Sequence, residues 1–229
     1  MGSIYFGAML IALILNLDQV FPAFKLILVD AFNGTAIAGG TFFGVLIYGV
    51  RRGAFSNEAG MGTESLVHGV AKVSDPVKQG LVAMTGPIFD TLIICTATAL
   101  MILISGVWET STSQGVTLTA EAFSMLLGNF GGFVLFICVI CFGLSTIFTY
   151  SYYGASCSRF LFGKFGMKFY IYLYILSIFI YSIVPIDIAI NIADGAFAMM
   201  AIPTLVSALW LAPKVMQASK NYFKLIDNF

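Results

Sequence analysis

The sequence predicts an all-α, polytopic transmembrane helical bundle, on three observations. Of 229 residues, 59% are hydrophobic and only 10% charged, where a soluble domain carries about a quarter charged residues. The mean hydropathy is +0.97, and the apolar residues gather into long runs parted by short polar stretches. A surface drawn from 11 basic and 11 acidic side chains cannot keep that much apolar material in water, so lipid is the solvent. Only helices and closed barrels satisfy backbone groups in lipid, and the residue alternation of a membrane barrel is missing.

Residues 4–15 are apolar but too short for a crossing, which needs ~20 residues. They read as the end of a helix that starts upstream. Residues 18–30 set Val20, Phe21, Phe24, Ile27 and Leu28 against Asp18, Gln19 and Lys25. That spacing suits a short amphipathic helix lying in the interface, with Pro22 tolerated near its start. A segment at 34–72 follows, apolar over 34–50, polar and glycine-rich after Arg51, and helical again over 60–72. Helices are expected over 77–104, 120–162, 168–184 and 188–213, with a Ser/Thr-rich loop at 110–119 and Pro185 in the last turn. The chain closes with a tail at 214–229. One membrane domain with five crossings after the partial first is expected.

If each run crosses once, Lys72, Lys78, Arg159, Lys164, Lys168, Lys214, Lys220 and Lys224 share one side. The opposite loops hold Lys25 alone, beside Asp18, Asp30, Glu109, Glu121 and Asp187. The positive-inside rule then places the C-terminus in the cytoplasm of a multi-pass plasma or inner membrane protein. No secretory signal is visible, since Met1 leads into the first apolar run without a basic region. A net charge of zero gives no reason to expect nucleic acid. His68 is the sole histidine, and Cys95, Cys138, Cys141 and Cys157 lie in apolar stretches without metal-site spacing. They read as small packing residues, and neither an enzyme nor a bound cofactor is expected.

The chemistry concentrates in GVRRGAFSNEAGMGTES, residues 49–65. As one straight helix, 34–72 would be ~58 Å long, well beyond the ~30 Å hydrocarbon core. One reading breaks the helix near 54–59, so that two half-helix ends meet inside the membrane. The carbonyl end of the first half would attract an ammonium group or cation, and the N–H end of the second a carboxylate. Glycines allow close backbone approach, and Ser56 and Asn57 add neutral hydrogen bonds. A second reading lets 34–50 span alone and places Arg51–Gln79 in a cytoplasmic loop, which spares an intramembrane arginine at least ~2.5 kcal/mol. The residues alone leave both open.

The segment GVRRGAFSNEAGMGTESLVHGVAK and the following DPVKQGLVAMTGPIFDTLIICTATAL closely resemble the alanine or glycine:cation symporter family, the sodium:alanine symporters. AFNGTAIAGGTF, FGLSTIFTYSYYG and ADGAFAMMAIPTL resemble it too, so the likeness covers nearly the whole chain. The resemblance implies a leucine-transporter-like fold of two inverted five-helix repeats, with this chain carrying the second repeat as a C-terminal half. It implies symport of a small neutral amino acid, alanine or glycine, with sodium or sometimes a proton as coupling ion. The broken helix becomes 34–72, with Phe55, Ser56, Asn57 and Gly60 as substrate-binding residues. Ser145 and Thr146 become the hydroxyl pair that meets a sodium ion. Without the resemblance, those hydroxyls would be read as bonding their own i−4 carbonyls.

The implied partners are the amino acid, sodium, the bilayer and a separate N-terminal half. A non-transporting membrane subunit, or the remnant of a disrupted transporter gene, is the alternative. Thr63-Glu64-Ser65 departs from the small-residue and proline sequence of many relatives. Thr204 stands for the family's asparagine, and Ala196 for a bulky apolar residue. Asp90 and Asp194 are intramembrane carboxylates, with pairing to Arg51 or Arg52 expected above proton coupling. Tyr150, Tyr152, Tyr153 and 170–174 are expected to anchor helices at an interface.

Overall fold

A computed structural model describes residues 2–31 and 41–227. The expected start of the broken helix, at 34–40, lies outside them. Every regular element among the described residues is helical. They are α1 (Gly2–Leu15), α2 (Leu17–Ala31), α3 (Thr41–Asn57), α4 (Thr63–His68) and α5 (Pro76–Ala83). A π-helical stretch (Ile88–Cys95) leads into α6 (Thr96–Ser105), and α7 (Val107–Thr110), α8 (Val116–Tyr181) and α9 (Ile186–Asp227) complete the chain.

Local chemistry sets several boundaries. Asn16 ends α1 by donating its side-chain amide to the Ala12 carbonyl at 2.9 Å, and α2 leaves at 100° to α1. Such a bend suits a membrane helix followed by one lying along the interface. Asp75 caps α5 by accepting from the Val77 N–H at 2.8 Å, with Pro76 at the first helical position, where its missing N–H costs nothing. The 77–104 run is less regular than expected: turns at Met84 and Thr85 precede the π-helical stretch. Pro87 supplies the cause, since it lacks an N–H and its ring crowds the carbonyl four residues back.

The sequence-based expectation parts 120–162 from 168–184, whereas the helical assignment runs unbroken from Val116 to Tyr181. Two glycines inside it are left-handed, Gly128 at φ +64° and Gly163 at φ +69°, and both mark reversals. A Cβ added to Gly132 would lie 2.7 Å from the Ser124 hydroxyl, although eight residues of straight helix span ~12 Å. The Tyr170 hydroxyl lies 3.5 Å from the Tyr150 carbonyl, although twenty residues would span ~30 Å. So α8 is three segments, 116–127, 129–162 and 164–181. Among the described residues, three helical stretches are long and apolar enough to cross a membrane, 76–105, 116–181 and 188–226, or four with the bent α1–α2 pair. This number is below the five crossings expected after the partial first because 116–181 counts once although it folds back at Gly163, and because the described part of 34–72 is divided into helices of 17 and 6 residues. The loop expected at 110–119 shortens to 111–115, and the expected tail is helical through Asp227.

The described chain forms two compact units, residues 1–50 with 89–149, and 51–88 with 150–229. In the first, Met9 and Ala12 pack with Ala97, Met101, Phe123 and Leu135. Tyr5 stacks on Phe123 at 5.6 Å between ring centres and meets Phe142 edge-on at 6.0 Å. Its hydroxyl lies 3.1 Å from that of Thr98. In the second, α9 packs against the segment around the α3–α4 break. Both units leave large apolar side chains exposed along 129–181 and 186–226, as surfaces bathed in lipid do.

Candidate functional site

The helix that contains Arg51 and Arg52 stops at Asn57, and α4 begins at Thr63. The interruption is Glu58–Gly62, slightly later than the expected 54–59. Three of its five residues are left-handed: Glu58 at φ +53°, Gly60 at +79° and Gly62 at +95°. Two glycines adopt that backbone at no steric cost; Glu58 does not, and a non-glycine residue there needs a holding contact. Asn57 finishes α3 by turning its side-chain oxygen back onto the Ala59 N–H at 2.9 Å. The Met61 N–H bonds the Glu58 carbonyl at 3.0 Å.

One face of α9 holds this segment. Asp194, Phe197, Thr204 and Leu205 fall on a single helical stripe. Asp194 is buried and forms an ion pair with Arg51, about two turns before the break. Arg52 approaches the same carboxylate at 3.9 Å. This pairing is the use expected of Asp194. The Arg51 guanidinium sits 5.7 Å from the centre of the Phe55 ring, and Phe55 packs on Phe197 at 5.5 Å. Within the break the backbone itself meets α9: a Cβ on Gly62 would be 2.8 Å from the Thr204 hydroxyl, and one on Gly60 3.7 Å from Leu205.

Glu58 is held from a third side. Tyr150 donates its hydroxyl to the Glu58 carboxylate, and the Tyr150 ring meets Phe197 edge-on at 6.4 Å. Neither Glu58 nor Tyr150 stands out as a site residue in the sequence, where Tyr150 reads as part of an interfacial aromatic run. The overlooked signal is the acidic residue inside a glycine-rich break, which needs a donor. Tyr170 closes over Gly154, with its hydroxyl 3.5 Å from the Tyr150 carbonyl.

The four candidate substrate residues thus occupy one turn and the break after it, with Phe55 against α9 and Gly60 in the left-handed run. Thr63 opens α4. Its hydroxyl is buried and is the sole buried side-chain polar atom without a hydrogen-bond partner among the described residues. α4 ends at His68, earlier than the expected Lys72, and His68 Nδ1 lies 2.6 Å from the Gln79 amide. A six-residue helix carries little macrodipole, so individual N–H and hydroxyl groups matter more here than the dipole.

Ser145 and Thr146 belong to the other unit. No hydrogen bond from either hydroxyl is present among the described residues; the i−4 bond is made by Thr149, to the Ser145 carbonyl at 2.8 Å. Thr146 lines a cavity of about 500 Å³ with Tyr5, Leu135 and Phe142. No three His, Cys, Asp or Glu side chains converge as a metal cluster among the described residues, and hydroxyl and carbonyl oxygens suit a hard monovalent cation better.

The model of the sodium:alanine symporter family matches residues 1–228. An uncharacterized transporter of Haemophilus influenzae is 33% identical over 98% of this chain and 50% of its own length. The sodium/alanine symporter AgcS of Methanococcus maripaludis is 35% identical over 100% of this chain and 51% of its own. The probable sodium/glutamine symporter GlnT of Bacillus subtilis is 33% identical over 97% and 47%. The chain spans about half the length of the curated relatives it matches.

Proposed function

Because this chain belongs to the sodium:alanine symporter family, a family of transporters and not of enzymes, we propose that it supplies one wall of a cation-coupled amino-acid symport site. The substrate is a small neutral amino acid, alanine or glycine, and sodium is the coupling ion. The chain is the second inverted repeat of a leucine-transporter-like fold, with its C-terminus in the cytoplasm. The observation that carries this reading is the five-residue break at Glu58–Gly62, clasped by α9 and Tyr150.

A zwitterion in lipid needs every charge answered, since an unpaired buried charge costs several kcal/mol. The carbonyls that end α3 answer an ammonium group, and the N–H groups after the break, with the Thr63 hydroxyl, answer a carboxylate. Gly60 lets the backbone approach, Ser56 and Asn57 add neutral contacts, and Phe55 forms the apolar side. Selection for a small side chain follows from how tightly Gly62 and Thr204 close the lower edge. Ser145 and Thr146 offer hydroxyls to sodium. Substrate and ion are ordered together, so an inward sodium gradient drives uptake through alternating access.

The opposite wall belongs to an N-terminal half. The experiment is radiolabelled alanine uptake into proteoliposomes under an inward sodium gradient, with this chain alone or assembled with a matching N-terminal half. Uptake by the assembled pair alone is expected. Uptake by residues 1–229 alone would show a complete site within them and end the half-site reading. No sodium-dependent uptake by a correctly assembled pair would end the transport reading.

A further inference from the structure

Within the second unit, α5 and the final third of α9 leave a groove between them of about 610 Å³. Val77, Leu81 and Met84 form one wall, with Leu211 and Val215 opposite, and small Gly80 and Ala218 leave the space between. These side chains recur at i, i+4 and i+7 positions on each helix, so each wall is a continuous stripe. Leu81, Met84, Leu211 and Val215 are all exposed. The one charged residue in the lining is Lys214. Among the described residues the ion pairs are those of Arg51 and Arg52 with Asp194, so no carboxylate neutralises Lys214. Asp75, which precedes α5, is committed to capping that helix through the Val77 N–H.

A long apolar trough with one uncompensated cation at its wall matches an amphiphile with an anionic head and a hydrocarbon tail. We infer that this groove is a binding site for an anionic phospholipid, whose acyl chain lies between α5 and α9 and whose phosphate meets Lys214. The charge distribution fixes the leaflet. Lys72, Lys78, Lys214, Lys220 and Lys224 crowd the sequence on both sides of the groove, the basic bias of a cytoplasmic membrane boundary, where anionic headgroups are attracted to lysines. Lys78 itself is turned aside, with its ammonium 3.1 Å from the Ser74 hydroxyl, which leaves Lys214 as the headgroup contact. The site is independent of the transport reading, since it uses no residue of the α3–α4 break.

The test is native mass spectrometry of the delipidated full chain in mild detergent. Dioleoyl-phosphatidylglycerol and dioleoyl-phosphatidylcholine, which share their acyl chains, serve as probes. Phosphatidylglycerol should be retained about fivefold better, as expected for one lysine beside an anionic lipid. Lys214→Glu should remove that preference, and Lys220→Glu, outside the lining, should leave it within about twofold. Ala218→Phe should fill the trough and abolish retention of both lipids; if that variant is not monodisperse, Gly80→Val replaces it. Equal retention of the two lipids by the unaltered chain, or unchanged retention after a folded groove-filling substitution, overturns the assignment. So does loss of the lipid when a matching N-terminal half is assembled with the chain, which would make the groove a protein seam.

Discussion

Glu58 adopts a left-handed backbone conformation at φ +53° and receives a hydrogen bond on its carboxylate from Tyr150, ninety-two residues later. The two facts belong together. A non-glycine residue in that conformation costs about 1 kcal/mol or more, and a bond to a charged acceptor returns about 1.5–3 kcal/mol. The tyrosine therefore fixes the shape of the break, and the break reports the state of the tyrosine.

Tyr150→Phe should then destabilise the chain by about 1–2 kcal/mol, because the carboxylate loses a donor inside the protein. Glu58→Gly should cost less than Glu58→Ala, since glycine relieves the backbone strain that alanine retains. Thermal unfolding in detergent measures both. An alanine variant as stable as the glycine one would mean the left-handed turn carries no strain.

Gly62→Ala meets two penalties, a left-handed φ of +95° and a Cβ placed 2.8 Å from the Thr204 hydroxyl. The loss should be about 2–3 kcal/mol. Thr204→Ala should return only the steric part, because the dihedral penalty stays. A double-mutant cycle should show coupling of about 1 kcal/mol between the positions, and strict additivity would place them out of contact.

The helical membrane character was legible because it rests on composition, which no tertiary contact can override. The glycines and polar residues of GAFSNEAGMG also drew attention to the place where α3 gives way to α4. The boundary itself was not legible: Asn57 ends α3 by bonding the Ala59 N–H, and any of several residues there could have done so. Gly163 falls in the stretch that parts the helices expected over 120–162 and 168–184, beside Lys164, but that this glycine is the residue that turns the chain appears only when Tyr170 lies beside Tyr150. The Glu58–Tyr150 bond depends on that reversal and on the left-handed run, so local pattern could not reveal it.

In the assembled transporter, Ser145→Ala/Thr146→Ala should raise the sodium concentration for half-maximal uptake by about tenfold, as loss of a direct hydroxyl ligand would. Expression and alanine binding at saturating sodium should change far less. Unaltered sodium dependence would return both hydroxyls to a packing role.

The last prediction concerns the ion pair before the break, and its sign follows from which partner is buried. The Asp194 side chain is 7% exposed, whereas Arg51 and Arg52 are 44% and 43% exposed. Removing the carboxylate leaves two arginines that can turn to water or headgroups, a loss of little more than an exposed pair. Removing Arg51 leaves a carboxylate that stays buried, with only Arg52 at 3.9 Å to answer it. An uncompensated buried charge costs about 3–5 kcal/mol, and Arg52 returns part of that. Arg51→Met should therefore destabilise more than Asp194→Asn, and Arg51→Met/Arg52→Met more than either. Adding Asp194→Asn to the double variant should restore stability, since no charge is then left buried. Unfolding midpoints of the five proteins in one detergent decide it. If Asp194→Asn is the worst of the single changes, the carboxylate is an anchor that the arginines cannot leave, and the asymmetry argued from exposure fails.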